Sequence, residues 1–355
     1  MFLFPLIYSC FIFFIPIINA QSSYAPNGLR LAEHGTLIDN KIIFFDSADF
    51  GINNTNAFSL DLSVNWTTSA PAFTKIDNLS NAPTFNYAAF SALKKNDRSL
   101  IYAFGGLIPT NNSDWTKGTP VSDFYKIDVT SYPISISSVS GNTPSARWAL
   151  NSIFDDNGKL YIWGGETLAT DQTMYIFDTF DSKWSQILPS YVPAQRSQYS
   201  VTFNDDKLYF IGGVFANTTG QKCVDIREIL IYDTLNTENP WTIKNATNNT
   251  SISNRYAHSA ALEPNRLNII LYGGSKSNDS GVPPDYLITL HLQTFEFSEI
   301  ITPNKPSIED SRLLHHHHHV DPNFLADGGS NSITLNLLFE QTLEPIYHLM
   351  LISNG

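Results

Sequence analysis

Cysteine is scarce in this chain of 355 residues. The only two cysteines are Cys10 and Cys223, and Cys10 lies in an apolar N-terminal run. The rest of the chain therefore cannot form an internal disulfide and must be held together by its own core. We expect the Cys223 thiol to be buried and inert, with a disulfide between two chains as the alternative.

Charged side chains are also few, and most of them are acidic. Lys and Arg number 21 against 33 Asp and Glu, which gives a formal net charge of −12 at pH 7. Nucleic-acid binding needs a basic stripe, and a polybasic membrane anchor needs a cluster of Lys and Arg. The composition argues against a nucleic-acid partner and excludes such an anchor. Hydrophobic residues make up 42% of the chain, which is enough to bury a core.

The first 20 residues carry no charged side chain and end in Ile18-Asn19-Ala20, which is typical of a secretory signal peptide cut after Ala20. An apolar run of this length can also span a bilayer as an uncleaved anchor, although Pro5 and Pro16 are unfavourable in such a helix. A buried N-terminal helix is a third alternative. We expect a secreted, extracellular protein that begins at Gln21 and that touches a membrane only if the segment stays uncleaved.

Asn-x-Ser/Thr sequons also favour export. None has proline in the middle position, and most lie in polar stretches between apolar runs. A chain rich in Asn, Ser and Thr forms some sequons by chance, so the occupancy of each one stays open. The candidate glycosylation sites are Asn53, Asn65, Asn78, Asn111, Asn217, Asn245, Asn248, Asn249 and Asn278.

Three cues recur in a fixed order along the chain. An Arg or aromatic residue opens an apolar strand, a β-rich run ends in Gly-Gly, and an apolar-x-apolar-Asp run is usually followed by Trp. The distance from the Arg to the first Gly is 16 to 18 residues in four copies. The residues assigned to the motif are Gly105, Gly106, Asp128, Arg147, Gly164, Gly165, Asp178, Trp184, Arg196, Gly212, Gly213, Asp233, Trp241, Arg255, Gly273 and Gly274.

Each cue has a physical use in a sheet. Gly-Gly permits positive φ and the close approach of another backbone, Asp hydrogen-bonds amides at the following turn, and the aromatic residue packs one sheet on the next. The pairs Asn157-Gly158 and Asp205-Asp206 are predicted to form hairpin turns, so we assign no acid–base role to Asp205 and Asp206, nor to the pair Asp155-Asp156. The part of the chain after residue 20 contains no amphipathic helical window of more than a few turns.

These units resemble kelch repeats over residues 28–340. The resemblance implies an all-β fold, a six-bladed kelch-type β-propeller with degenerate first and last blades. We expect a signal peptide at 1–20, the propeller at 21–340 and a C-terminal tail at 341–355. The first unit lacks Gly-Gly, the second lacks the Arg, and the sixth is short and has no Trp. The segment 29–37 is a candidate for closing the sixth blade.

We expect a non-catalytic scaffold that recognises an extracellular protein or glycan, with no cofactor and no metal, because the long loops are rich in Asn, Ser, Thr and Gly. We expect inter-blade loops at one end of the ring to bind the partner, the long ones being 107–122, 214–228 and 275–285. A membrane-tethered adhesion or cell-wall protein is one alternative.

A second alternative is a galactose-oxidase-like extracellular copper carbohydrate oxidase. The resemblance implies that such an enzyme needs two Tyr, two His and a Cys cross-linked to Tyr. Cys223 is available, but His258 stands at the repeat's usual Arg-x-x-His position and His291 replaces a turn Asp. The five histidines at 315–319 can bind metal in a purified sample, yet consecutive residues do not converge in a rigid site, so we interpret them as a flexible tract.

Overall fold

The computed structural model describes residues 34–46, 56–64, 72–77, 79, 83, 85–110, 118–167, 171–188, 191–215, 222–248, 251–276 and 283–300. Every regular element in these ranges is a β-strand. The predicted signal peptide, the C-terminal tail and the sixth repeat unit lie outside them. No helix within the described ranges is long and apolar enough to cross a membrane.

The described strands form five blades, one for each of the first five repeat units, and three additional two-stranded sheets. The first contains β1 (His34–Ile38), β2 (Lys41–Asp46), β3 (Asn56–Asp61) and β4 (Phe73–Ile76). The second unit contains β5 (Ala89–Lys95), β6 (Arg98–Phe104), β7 (Leu107–Pro109), β8 (Gly118–Pro120), β9 (Phe124–Asp128) and β10 (Ser135–Ser138). Its blade has the order β5-β6-β9-β10, and β7 and β8 form a separate hairpin.

The third unit contains β11 (Arg147–Trp148), β12 (Ser152–Phe154), β13 (Lys159–Ile162), β14 (Glu166–Thr167), β15 (Met174–Asp178) and β16 (Lys183–Ile187). The fourth contains β17 (Arg196–Ser197), β18 (Ser200–Asn204), β19 (Lys207–Ile211), β20 (Val214–Phe215), β21 (Glu228–Asp233) and β22 (Trp241–Asn245). Their blades are β12-β13-β15-β16 and β18-β19-β21-β22, and β11 pairs with β14 as β17 pairs with β20.

The fifth blade has an additional strand at its outer edge. The unit contains β23 (Thr247–Asn248), β24 (Ser259–Leu262), β25 (Asn268–Tyr272), β26 (Leu287–His291) and β27 (Glu296–Glu299). Four of these form the antiparallel blade β24-β25-β26-β27, and β23 adds to β27 in parallel. The first strands of consecutive blades pack in series, β1 on β5, β5 on β12, β12 on β18 and β18 on β24. The predicted β-propeller fold is confirmed.

Apolar clusters hold neighbouring blades together. Successive side chains of a strand point to opposite faces, so Leu160 and Ile162 pack with the second blade, while Tyr161 and Trp163 pack with the fourth. The dense apolar runs seen in the sequence are therefore strands buried on both faces. Each blade contacts mainly its two neighbours, as expected for a repeat architecture.

Two further apolar faces border the predicted position of the sixth blade. Phe58 and Leu60 are buried on the face of the first blade that points away from the second. Ile270 and Tyr272 are buried on the face of the fifth blade that points away from the fourth. The prediction that segment 29–37 closes the sixth blade is wrong for its described residues, because residues 34–37 belong to β1 and pair with β2 in the first blade.

The hairpin turns inside the blades follow the sequence signals. Asp205 and Asp206 have φ of 49° and 57° and connect β18 to β19 as a tight two-residue turn. Gly158, with φ of 78°, lies between β12 and β13. Asp155 accepts hydrogen bonds from the backbone N–H of Asn157 at 3.0 Å and of Lys159 at 2.8 Å, which accounts for this buried carboxylate as part of the turn.

Candidate functional site

A buried arginine lies at the start of three blades, beneath the loop that joins the second and third strands. Arg147, Arg196 and Arg255 have side chains that are 0%, 1% and 0% exposed. Burying a guanidinium is expensive unless it is paired and hydrogen-bonded, so each must be fixed by specific partners.

Arg147 and Arg255 bind equivalent partners in their two blades. Arg147 donates from Nε to the carbonyl oxygen of Ser145 at 3.0 Å and from Nη1 to that of Gly164 at 3.1 Å. It also forms an ion pair with Asp171, which precedes β15. Arg255 donates to the carbonyl oxygens of Ser253 and Gly273 in the same way.

The acidic partner of Arg255 is Asp285, two residues before β26. Arg255 Nη2 lies 2.5 Å from Asp285 Oδ2, and Asp285 is 4% exposed. The same carboxylate oxygen accepts the backbone N–H of Ser253 at 2.9 Å. Asp285 therefore joins the end of the 275–285 loop to the linker that enters the fifth blade.

Arg196 departs from this pattern. Both its Nη atoms donate to Glu228, Nη1 to the backbone carbonyl at 3.2 Å and Nη2 to the carboxylate, while its Nε is buried without a hydrogen-bond partner. The side chain of Glu228 is 38% exposed. Glu228 is the first residue of β21, so this pair fixes the end of the 214–228 loop.

Burial and ion pairing shift the pKa values of these groups in different directions. Burial lowers the pKa of Arg255 to about 10, because it outweighs the attraction of Asp285, and burial likewise lowers the pKa of Arg196 to about 10. Burial raises the pKa of Asp171, but the Ser145 hydrogen bond and the charge of Arg147 outweigh it and hold that pKa at about 2. Arg196, Arg255 and Asp171 are therefore charged at neutral pH.

Gly-Gly fixes the other end of each loop. Gly165 donates its backbone N–H to the carbonyl oxygen of Arg196 at 2.8 Å, across the boundary between two blades. Gly213 donates to Arg255 at 3.0 Å in the same way. At Gly164, where φ is 70°, a Cβ atom would lie 2.5 Å from the Arg196 carbonyl oxygen, so only glycine permits this approach. Gly105, Gly106, Gly212, Gly273 and Gly274 also have positive φ.

A chain of backbone hydrogen bonds links the blades two residues beyond each arginine. Ala149 donates to Tyr87, Gln198 to Ala149 and Ala257 to Gln198, at 3.1, 2.9 and 2.8 Å. All four residues have φ between 52° and 54°. Equivalent residues of successive blades are therefore joined by backbone hydrogen bonds.

The hydrogen bond from Ala149 to Tyr87 aligns these two residues, so Phe85 occupies the position in the second blade that an arginine occupies in the next three. Phe85 stands two residues before Tyr87, as Arg147 stands two before Ala149. Its ring contacts Phe45 and Phe90 at centroid distances of 5.8 and 5.2 Å. An apolar side chain thus replaces the buried ion pair in one blade.

The motif aspartates form the turn that follows the third strand. The side chains of Asp128, Asp178 and Asp233 accept the backbone N–H two residues on, at 3.0, 2.8 and 3.0 Å. His291 stands in the equivalent place and accepts the N–H of Thr294 on Nδ1 at 3.2 Å. His291 thus substitutes for the turn aspartate.

The motif tryptophans pack each blade on the one before it. Trp184 of the third blade lies 5.0 Å from the Phe124 ring of the second, and Trp241 of the fourth lies 4.9 Å from the Trp163 ring of the third. Both contacts join aromatic rings across a blade boundary, where they add to the apolar area that is buried.

The residues considered for copper binding have structural surroundings. Cys223 is buried and packs with Val214 and Tyr256. His258 is buried, its Nε2 lies 2.9 Å from the Ser200 hydroxyl, and burial lowers its pKa to about 3, so its ring is neutral. Within the described ranges, no group of three His, Cys, Asp or Glu side chains is arranged to hold a metal ion. The histidine tract 315–319 lies outside those ranges.

Two of the nine candidate glycosylation sites are described. Asn245 is exposed at the end of β22, and Thr247, the third residue of its sequon, is exposed too. Asn248 is half-buried in β23. The others, Asn53, Asn65, Asn78, Asn111, Asn217, Asn249 and Asn278, lie outside the described residues.

The long loops connect strands within a blade. Segment 107–122 joins β6 to β9, 214–228 joins β19 to β21, and 275–285 joins β25 to β26. The prediction that they run between blades is wrong, because the sheet order places each pair of flanking strands side by side in one sheet. The acidic residues that fix the loop ends, Asp171, Glu228 and Asp285, were not recognised from the sequence. The available signal was an acidic residue next to the start of each third strand.

The repeated set of Gly-Gly, buried arginine, turn aspartate and aromatic ring, carried by blades packed in series, defines a kelch-type β-propeller. A family model described as the KLHDC2/KLHL20/DRC7 Kelch-repeats domain matches residues 90–329. This match covers more than half of the chain, and the chain belongs to this family of kelch-repeat domains. The solved structure titled "Structure of YjhT" is similar, with a TM-score of 0.54 and 13% sequence identity, over 77% of this chain and 84% of that chain. At this identity the likeness shows the fold.

Proposed function

We propose that this protein is a secreted, N-glycosylated scaffold that binds an extracellular protein or glycan through the loops between the second and third strands of its blades. Kelch propellers are typically interaction scaffolds, and in an antiparallel blade these loops emerge at one end of the ring. The proposed binding end is therefore the end that carries the buried arginines.

One observation carries this proposal. The loop 275–285 starts after Gly273-Gly274 and ends at Asp285, which is held by Arg255. The loop 214–228 starts after Gly212-Gly213 and ends at Glu228, which is held by Arg196. Loops of variable sequence with both ends fixed on a rigid ring resemble the usual construction of a recognition surface, since rigid anchoring lowers the entropy lost on binding.

A binding screen tests the proposal. The labelled protein is applied to a glycan array and to a library of displayed extracellular proteins, and each hit is measured again with a variant whose residues 216–221 and 277–282 are replaced by Gly and Ser at equal length. We expect this variant to lose binding. The control carries Leu235→Ala and Glu238→Ala in a turn at the opposite end, which adds no sequon, and is expected to bind as the parent does. Binding that survives the loop replacement and fails in the control would contradict the proposal.

Export and glycosylation are tested on the protein recovered from the medium of secreting cells. We expect Gln21 as the N-terminal residue and a fall in apparent mass after N-glycosidase treatment. Asn245→Gln is expected to remove one glycan, because Asn245 is exposed at a strand end where a glycan can extend into solvent. Asp205→Asn is the matched control, since it adds no sequon. Protein that is found in the membrane fraction with its first 20 residues retained would support the membrane-tethered alternative.

The copper oxidase alternative predicts bound copper in one-to-one ratio and turnover of sugars or alcohols with oxygen uptake. Both are measured on a variant in which the histidines at 315–319 are replaced by Ser, so that metal held by the tract does not count. Bound copper with turnover in this variant would refute the non-catalytic assignment.

A further inference from the structure

The outer edges of the blades differ in how they are covered. Within the described part of the chain, the outer strands β4, β10, β16 and β22 each pair with a neighbour on one side. The outer strand of the fifth blade, β27, is covered by β23, with Thr247 opposite Glu296 and Asn248 opposite Phe297. The molecule itself thus shows that an outer edge accepts one more strand.

Three of the four uncovered edges carry a lysine. Lys75 in β4 is 50% exposed, Lys183 in β16 is 76% exposed, and Lys244 in β22 is exposed. A charged side chain on an edge strand discourages a second strand from pairing there. The strand β10 has the sequence Ser-Ile-Ser-Ser and carries no charge, and its three serines are exposed. It is the unprotected edge among the four.

The chain on either side of β10 is also uncharged, whereas the neighbouring strand β9 carries Lys126 and Asp128 opposite Ser137 and Ser135. Residues 129–146 contain no Asp, Glu, Lys, Arg or His, and this is the longest such stretch between residue 30 and the C-terminus. Two copies of a chain with a net charge of −12 repel each other. The strand β10 adds no charge of its own to that repulsion.

Backbone geometry determines which groups of β10 face outward. The N–H of Val139 donates to the carbonyl oxygen of Phe124 at 2.8 Å. In an antiparallel pair, hydrogen-bonded positions alternate, so Ser137, opposite Lys126, also faces β9. The backbone N–H and C=O groups of Ile136 and Ser138 therefore point away from the blade.

We propose that β10 pairs antiparallel with β10 of a second copy of this chain about a twofold axis, so that two second blades form one continuous sheet. An antiparallel pair of identical strands is self-complementary, as a twofold interface requires. Four residues make a small interface compared with the 1,200 Å² or so that stable complexes bury, so the dimer dissociates on dilution, with a Kd of about micromolar to millimolar. The edge lies on the outer rim, so the proposed binding loops stay accessible and the dimer is bivalent.

The test is sedimentation velocity of the purified full chain over a concentration series from about 1 μM to about 1 mM. We expect a monomer–dimer equilibrium. Ser138→Pro removes an outward N–H and leaves the ladder to β9 intact, and Ser138→Lys adds the kind of charge found on the other edges; each is expected to weaken the dimer by about tenfold or more. Ser185→Lys in β16 places the same charge on an edge that already has one and is expected to change nothing.

Circular dichroism and thermal unfolding verify that each variant is folded, and Ser138→Lys decides the question if Ser138→Pro is not. A monomer throughout the concentration range overturns the proposal. A dimer that Ser138→Lys leaves unchanged, or that Ser185→Lys weakens equally, also overturns it. This test does not involve the partner of the loops, so its outcome is independent of the proposed function.

Discussion

Removal of the carboxylate of Asp285 is expected to destabilise the propeller more than removal of any exposed acidic group. Arg255 is 0% exposed, and Asp285, its partner, is 4% exposed. In Asp285→Ala the guanidinium stays buried without its counter-charge, and the Ser253 N–H loses its acceptor. Breaking a buried pair from one side costs about 3–5 kcal/mol, and the retained bonds to the carbonyl oxygens of Gly273 and Ser253 place the expected loss near the lower value, about 3 kcal/mol.

Glu228→Ala is the matched comparison. Arg196 is equally buried, but Glu228 is 38% exposed, so water can take the place of its carboxylate beside the guanidinium. We expect Glu228→Ala to lower the free energy of unfolding by about 1 kcal/mol, which is the contribution of an ordinary hydrogen bond with a partly solvated partner. The two variants therefore remove the same kind of partner from the same motif position and differ in solvent access.

The assay is equilibrium unfolding in urea, followed by tryptophan fluorescence, with the denaturant slope compared between variants to verify that the transition keeps the same form. The double variant Arg255→Met with Asp285→Ala is expected to be more stable than Asp285→Ala alone, because it removes the unpaired charge. Phe85 shows that an apolar side chain is tolerated at the equivalent position of the second blade. If Asp285→Ala costs no more than Glu228→Ala, or if the double variant is the least stable, the reasoning from burial is refuted.

Two further predictions concern stability. Gly164→Ala is expected to lower the free energy of unfolding by about 2–3 kcal/mol, because its Cβ would lie 2.5 Å from the Arg196 carbonyl oxygen. Gly35→Ala is the control: its Cβ would meet the Phe44 ring, which can move, so we expect a smaller loss in the same urea assay. Burial and the charge of Arg255 lower the pKa of His258 from 6.5 to about 3, so between these values the unfolded chain binds a proton that the folded protein does not. Stability contributed by the neutral ring is present above pH 6.5 and falls by about 4–5 kcal/mol as the pH is lowered to 3. The difference in unfolding free energy between the parent and His258→Gln should therefore change between pH 6.5 and pH 3. A difference that does not depend on pH would contradict the conclusion that the His258 ring is neutral.

Much of the blade structure is predictable from local sequence. A strand that is buried on both faces needs a dense apolar run, a tight turn needs residues that accept positive φ, and a turn carboxylate acts on an amide two residues away. These requirements are satisfied over short distances, as at Asp205-Asp206 and at Asp178. The acidic partners of the arginines were missed because each lies 24 to 32 residues from its arginine, across a loop of variable length.

The sequence by itself determined that one β-rich unit recurs, and it indicated which residues of the unit form its turns and its buried strands. These features depend on residues that are close together in the chain. Only the tertiary structure decided which blades share a contact, as in the pair of Ser200 with His258, 58 residues apart. It also decided that the long loops connect strands of one blade and that, among the described residues, no strand lies beyond β10, which has no charged side chain. These features depend on how the sheets pack around a ring. The contacts between blades join residues separated by loops of variable length, so they have no fixed spacing in the sequence.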